Sequence, residues 1–241
     1  MNRDIAVIFD MDGVICHTNP YHSMAFREFF STRNLAPTDD EFAEHMFGKS
    51  NKYILTHFLK RPVEGEEFLQ LEEEKEGLFR KIYEPHVSPI KGIVEFIANL
   101  NENNVRLGVA TSAPYANLEL ILSKVPIRET MGSIMASEDV KKHKPDPEVY
   151  LTSAKNLGVM PRDCVVFEDS FSGVTAALNA GMKVVGVLSS HTKEELPPCD
   201  LYIDDYTALS YQAILQLFDY IENIFPVGLM ITNIILIFAH S

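Results

Sequence analysis

Asp10 and Asp12 stand two residues apart at the end of the apolar run Ile5-Ala6-Val7-Ile8-Phe9, with Gly13 directly after them. On an extended backbone, side chains two apart leave on the same side, so two carboxylates are aimed at one volume. Such a pair repels itself without a cation, and hard oxygen ligands with an incomplete shell suit Mg²⁺, which fills its remaining positions with water and substrate phosphate. Two more apolar runs end alike. Val105-Arg106-Leu107-Gly108-Val109-Ala110 leads into Thr111-Ser112, and Cys164-Val165-Val166-Phe167 leads into Glu168-Asp169-Ser170. Between them, Lys144 precedes the proline-rich helix start Pro145-Asp146-Pro147. If these runs are neighbouring parallel strands, one crevice at their carboxyl ends receives acids, hydroxyls and a lysine, an inventory suited to phosphoryl transfer.

The elements needed to place these groups can be read from the periodicity. Residues 17–85 carry helical patterns only: segments 21–30, 39–47 and 51–59, then a long charged helix over 66–83 with Phe68, Leu71, Leu78, Phe79 and Ile82 along one face. From Ser88 onward helices and strands alternate. Helices are predicted over 93–100, 118–125, 147–157, 172–180 and about 208–224, and strands over 105–110, 134–136, 164–167, 184–188 and 201–203. That alternation predicts an α/β fold, a Rossmann-like parallel sheet covered on both faces, with a four-helix cap inserted after the first strand. The expected division is a discontinuous core of residues 1–16 and 88–225, a helical cap of 17–87, and an apolar tail of 226–241.

Bulk composition narrows the class. The chain has 241 residues, 46% hydrophobic and 23% charged, ordinary for a soluble globular protein. A formal net charge of −13 argues against nucleic acid or an anionic membrane surface as partner, so any phosphate must be bound locally. Cys16, Cys164 and Cys199 are odd in number and widely spaced, which favours a reducing, cytoplasmic setting over a disulfide framework or zinc site. The amino end shows no export signal. The apolar stretch 227–238 would span roughly 18 Å as a helix, short of the ~30 Å hydrocarbon core, so it reads as a packed element or tail rather than a self-association patch or membrane anchor. A monomer is expected, and a dimer is allowed.

With these residues in place, the chain resembles the haloacid dehalogenase superfamily, in its β-phosphoglucomutase-like branch, over about residues 5–217. The resemblance rests on four motifs in order: Asp10-Met11-Asp12-Gly13-Val14, Thr111-Ser112, Lys144-Pro145 and Glu168-Asp169. It implies that Asp10 is the nucleophile that becomes a phosphoaspartate, and that Asp12 is the general acid and base, its main-chain carbonyl binding Mg²⁺. Asp169 corresponds to a direct metal ligand, and Glu168 to a ligand through water or a supporting residue. Lys144 and the Thr111 hydroxyl correspond to groups that neutralise the phosphoryl oxygens, with Ser112 beside the substrate. Read without the resemblance, each motif has a plainer alternative: a solvated acidic turn for Asp10 and Asp12, helix caps for Thr111-Ser112 and Glu168-Asp169, a surface lysine for Lys144.

Residues of the insert bear on the substrate. By the same resemblance Thr18, His22, Gly48, Lys49, Asn51 and Lys75 fall where the branch contacts the substrate or steadies the general acid. His22 reads equally as a packing residue beside Phe26. Lys75, within Glu72-Glu73-Glu74-Lys75-Glu76, also reads as part of a solvated helix face, and the composition favours that. Two departures matter. Asn51 stands where the mutases carry an arginine, and Ala113-Pro114-Tyr115 stands where they carry a serine-lysine-asparagine phosphate grip. An asparagine cannot replace the charged planar fork of arginine, so hydrolysis is favoured over mutase chemistry. The expected function is a Mg²⁺-dependent phosphatase acting on a small phosphorylated metabolite such as a sugar phosphate. β-Phosphoglucomutase is the first alternative and inorganic pyrophosphatase the second, the latter because Pro20-Tyr21-His22 in a small cap pocket suits a compact dianion. A non-catalytic binding protein ranks last.

Overall fold

The computed structural model describes residues 4–46 and 50–219. Six parallel strands form one sheet in the order β3-β2-β1-β4-β5-β6: β1 (Ala6–Phe9), β2 (Arg106–Ala110), β3 (Met131–Met135), β4 (Cys164–Glu168), β5 (Lys183–Val187) and β6 (Leu201–Ile203). The chain adds β2 and β3 on one side of β1, then crosses over to lay β4, β5 and β6 on the other. The carboxyl end of β1 is therefore a topological switch point, where an open α/β sheet leaves a crevice. Phe9 pairs with Val109 on one side and Phe167 on the other, so the residues just beyond these strands meet at one edge.

Because side chains alternate along a strand, the same strands serve two cores. Val7, Phe9, Val109 and Phe167 pack on one face with α5 (Ile93–Glu102), α6 (Tyr115–Lys124) and α9 (Tyr211–Asp219). Ala6, Ile8 and Val166 pack on the other with α7 (Glu148–Leu157) and α8 (Phe171–Asn179). Helix starts follow local chemistry. Pro114 provides the extended N-cap of α6, and that helix therefore begins three residues before the apolar periodicity suggested. Gly158 ends α7 in the left-handed region at φ +67°. Strand β3 likewise begins three residues earlier than expected, at Met131. α9 begins at Tyr211 rather than 208, and the remainder of the expected helix lies outside the described residues, as does the apolar tail.

Between β1 and β2 lie α1 (Asn19–Ser31), α2 (Asp39–His45), α3 (Asn51–Leu59) and α4 (Gly65–Tyr83). Thr38 and Glu41 close α2 with a reciprocal capping box, and Ser50 caps α3 by accepting from Tyr53 N. These helices own a third core of Phe26, Phe29, Phe30, Phe42, Ile54, Leu55 and Phe58. The chain segments entering and leaving the insert run side by side: Cys16 bridges Pro89, and Ile90 N donates to Ile15 O at 2.8 Å. No helix among the described residues is long and apolar enough to cross a membrane.

Candidate active site

Asp10 leaves the end of β1 with its main-chain N–H bonded to Phe167 O at 3.0 Å, which fixes its carboxylate at the switch point. Lys144 Nζ reaches it from the segment before α7, 2.6 Å from Asp10 Oδ1, 2.7 Å from Glu168 Oε1 and 3.2 Å from Ala110 O. This ammonium is almost fully enclosed and lies over the Tyr150 ring. Burial opposes its charge, but the attraction of Asp10 and Glu168 prevails and raises its pKa above the ordinary lysine value.

Glu168 accepts from five donors. Oε1 takes Lys144 Nζ and, at 2.9 Å, Tyr150 OH, while Oε2 takes Asp169 N, Ser170 N and Ser170 Oγ. Burial would raise its pKa, but Lys144 and these hydrogen bonds hold it below the usual carboxylate value. Ser170 also caps α8 by accepting from Gly173 N. A Cβ on Gly173 would lie 1.6 Å from Glu168 Oε1, so the carboxylate occupies space that only a glycine leaves. With both oxygens so engaged, Glu168 is placed to orient Lys144 and to support the site.

Asp169 faces Asp10 across the crevice. Its Oδ2 accepts from Ser190 Oγ and from Asn19 Nδ2, and its main-chain oxygen meets His191 Nδ1 at 2.9 Å. Gly13, at φ +71°, lets the loop pass beneath it, where a Cβ would come within 1.9 Å of Oδ2. Burial, reinforced by Glu168, pushes the Asp169 carboxyl up to about 7. Burial likewise holds Asp10 well above the usual range despite Lys144, with Glu168, Asp12 and Asp169 adding repulsion.

One oxygen from each of Asp10, Glu168 and Asp169 lies within 4.8 Å of the others. Three buried carboxylates face one lysine, an excess of negative charge that adds to the effect of burial in raising Asp10 and Asp169. The donors are hard oxygens, and Asp10 Oδ2 and Asp169 Oδ1 have no hydrogen-bond partner among the described residues. This set fits a divalent, oxygen-preferring cation such as Mg²⁺.

Asp12 lies two residues beyond Asp10, past a bend at Met11, its Oδ1 3.4 Å from His22 Nε2. Burial works against its charge, but His22 holds it below the ordinary aspartate value. Thr18, expected beside the substrate, is fully buried, does not line the cavity, and its hydroxyl has no hydrogen-bond partner among the described residues. Thr111 closes β2, its hydroxyl accepting from Ala113 N, and with exposed Ser112 it borders a cavity of about 1140 Å³ between the sheet edge and the helical insert. Asp10, Asp12, His22, Asn51, Lys75, Lys144, Glu168 and Asp169 share that lining. Gly48 and Lys49 lie outside the described residues.

Lys75 corrects the solvated reading of its charge run. It is 1% exposed, wedged against Phe26 with its ammonium 4.4 Å from the ring centroid and 2.8 Å from His22 Nδ1. The sequence also passed over Asn19, Tyr150, Ser190 and His191. Ser189 and Ser190 follow the end of the fifth strand, the same strand-then-hydroxyl pattern that marked the other motifs. Tyr150 carried no local signal.

The sequence profile of haloacid dehalogenase-like hydrolases matches residues 7–187. The chain belongs to this family. Within the haloacid dehalogenase-like hydrolases it falls in the β-phosphoglucomutase-like branch. It is 32% identical to a β-phosphoglucomutase of Bacillus subtilis over 76% of this chain and 82% of that protein. It is also 32% identical to a phosphorylated carbohydrates phosphatase of Thermotoga maritima, over 77% of this chain and 86% of that one. A crystal structure of a family IA, variant 3 hydrolase from Entamoeba histolytica superposes with a TM-score of 0.83 at 28% identity, covering 88% of this chain and 98% of that one.

Proposed function

We propose that this hydrolase is a Mg²⁺-dependent phosphatase that cleaves a small phosphate monoester, a sugar phosphate, through a phosphoaspartate on Asp10. The observation that carries the reading is Asp10 itself: one oxygen is pinned by Lys144 while the other is unclaimed at the cavity floor. That oxygen attacks phosphorus in line with the departing alkoxide. Lys144 and Thr111 draw charge from the equatorial oxygens. A dianionic ester beside Asp12 raises its proton affinity, and Asp12 then gives its proton to the leaving oxygen. In the second half Asp12 takes a proton from water as that water attacks the phosphoaspartate, releasing inorganic phosphate and restoring Asp10. Asp10, Asp169 and the Asp12 main-chain carbonyl would hold Mg²⁺, which supplies further cancellation of charge on the transferring group.

Two contacts favour hydrolysis over the mutase reaction, which requires a grip on a second phosphate. Asn51 Nδ2 donates to Glu72 Oε1 at 3.0 Å and to Glu76 Oε1 at 2.8 Å, so its amide is turned toward acids. At the start of α6, Tyr115 N donates to both oxygens of Glu138, so a carboxylate already occupies a helix terminus that would otherwise attract phosphate. The relationship to the Thermotoga phosphatase supports a carbohydrate ester, and the cavity is far larger than a pyrophosphate dianion needs. The helical insert serves as a lid, with hinges in residues 16–19 and 87–89, and the three free cysteines suit a reducing cytoplasm. The working unit in this reading is a monomer.

The test is incubation with Mg²⁺ and a panel of sugar phosphates, pyrophosphate and β-glucose 1-phosphate, following both phosphate release and glucose 6-phosphate formation. Phosphate release from sugar monophosphates is expected. Isomer formation without phosphate release would defeat the phosphatase reading. Asp10→Asn should abolish turnover, because an amide is a poor nucleophile, and normal turnover in that variant would rule out the covalent route.

A further inference from the structure

Glu76 is a buried carboxylate, 2% exposed, at which four helices converge. Its Oε1 accepts from Lys75 Nζ at 2.7 Å and from Asn51 Nδ2 at 2.8 Å; its Oε2 accepts from Asn117 Nδ2 at 2.7 Å and lies 4.0 Å from His22 Nδ1. His22, Asn51 and Lys75 belong to the insert, on α1, α3 and α4, whereas Asn117 belongs to α6 of the sheet domain. Asn117 is itself fully buried, and its other amide atom, Oδ1, accepts from Arg80 Nη1 at 3.0 Å. Both ends of this one core side chain are thus claimed by α4.

The contacts fix where the protons sit. Lys75 Nζ, 2.8 Å from His22 Nδ1, has only hydrogens to offer while it is an ammonium, so Nδ1 must present its lone pair. The imidazole proton is then on Nε2, the atom facing Asp12 Oδ1. The plane of the His22 ring is held by stacking on Phe79, with centroids 3.8 Å apart and planes 5° from parallel, and the contacts of its two nitrogens set its orientation within that plane. Glu76 is the counter-charge beside Lys75 in this dry position, 2.7 Å away.

We infer that Glu76 is a positioning residue for the general acid, acting through Lys75 and His22 on Asp12, and that Asn117 completes this relay only when the insert is docked on the sheet domain. What this chain adds is a link at the dock itself, since undocking α4 from α6 removes a donor from Glu76 and loosens its hold on Lys75. The inference rests on the phosphatase reading for its catalytic consequence, but its structural part stands independently.

The experiment pairs kinetics with imidazole ¹⁵N–¹H spectra of the full chain, the His22 resonance being assigned with His22→Gln. In the wild type the spectrum should show His22 protonated on Nε2. Glu76→Gln leaves the Lys75 ammonium buried without a counter-charge; a neutral amine can accept from Nδ1–H, so the spectrum should shift to the other tautomer or a mixture. In the same variant kcat with a sugar phosphate is expected to fall roughly ten-fold, the scale of part of a general acid contribution, with KM changed less than kcat. Glu76→Asp should recover part of that loss. Asn117→Ala, which leaves the charges intact, should lower kcat about three-fold and broaden the His22 resonance, and it tests the relay should Glu76→Gln fail to fold. An unchanged His22 tautomer and unchanged kcat in Glu76→Gln would overturn the proposal, as would wild-type kcat and spectrum in Asn117→Ala. If the wild type releases no phosphate from any ester while the tautomer responds as stated, the phosphatase reading fails and the relay survives.

Discussion

At the scale of residues, the site is built from charges that are individually unfavourable in a dry interior and mutually stabilising when assembled. Lys144 is held between Asp10 and Glu168, and Lys75 beside Glu76. Removing one partner of such a pair leaves the other uncompensated, which is why substitutions there reach stability as well as activity. Glu76 makes this measurable. Burial alone would raise its carboxyl, but the Lys75 ammonium and the hydrogen bonds from Lys75 and Asn117 hold it down to about 2. A depressed folded-state value means the stabilisation is fully present above the unfolded value near 4.5 and is lost as pH falls toward 2. The difference corresponds to an order of magnitude of about 3 kcal/mol. Urea denaturation of wild type and Glu76→Gln is therefore expected to show the widest stability gap above pH 5 and a narrowing gap down to pH 3. A gap of constant size across that range would show that Glu76 is not ionised through these contacts.

At the scale of elements, the insert stands on its own aromatic cluster. Phe30 is fully buried at its centre, edge-on to Phe29 and Phe42 and 4.9 Å from the Phe58 ring. Phe30→Ala should destabilise this unit by about 3–5 kcal/mol. Amide exchange should quicken in α1 to α3 while β1 and β4 keep their protection; equal loss in the sheet would mean the two cores unfold together. The same separation explains what the sequence disclosed. Asp10, Thr111 and Glu168 were legible because each ends or directly follows an apolar strand, and parallel pairing then carries local order into proximity. Asn19 and Ser190 were not, since they meet Asp169 across 150 and 21 residues of chain, and only the folded path of the loops brings them together. Lys75 misled because a run of charges does not reveal which helix face docks. The early start of α6 was hidden because Pro114 sets it by backbone geometry, ahead of any apolar repeat.

At the scale of the molecule, the candidate site lies where the sheet edge meets a separately packed helical insert, and a cation held by the three carboxylates would belong to the sheet side. Asp10, Glu168 and Asp169 all come from the ends of β1 and β4, so their cluster is built on the sheet, and the insert reaches it through Asn19 Nδ2 on Asp169 Oδ2. Binding Mg²⁺ in the native state alone should stabilise the whole chain by mass action, roughly 2.7 kcal/mol at a concentration of about 100 times Kd. For a protein of this size each kcal/mol moves Tm by roughly 2–4 °C, so a rise of roughly 5–10 °C is expected. Asp169→Asn retains an acceptor for Ser190 but loses the charge, and its Tm should respond to Mg²⁺ little or not at all. Glu76→Gln, remote from the cluster, should keep the full response even where its catalysis is impaired. If Asp169→Asn gained as much as the wild type, the ion would be binding elsewhere, and the charge excess at the switch point would need another counter-ion. If Glu76→Gln lost the response, the lid would be shaping the metal site as well as the general acid, and the division of labour between sheet edge and insert would fail.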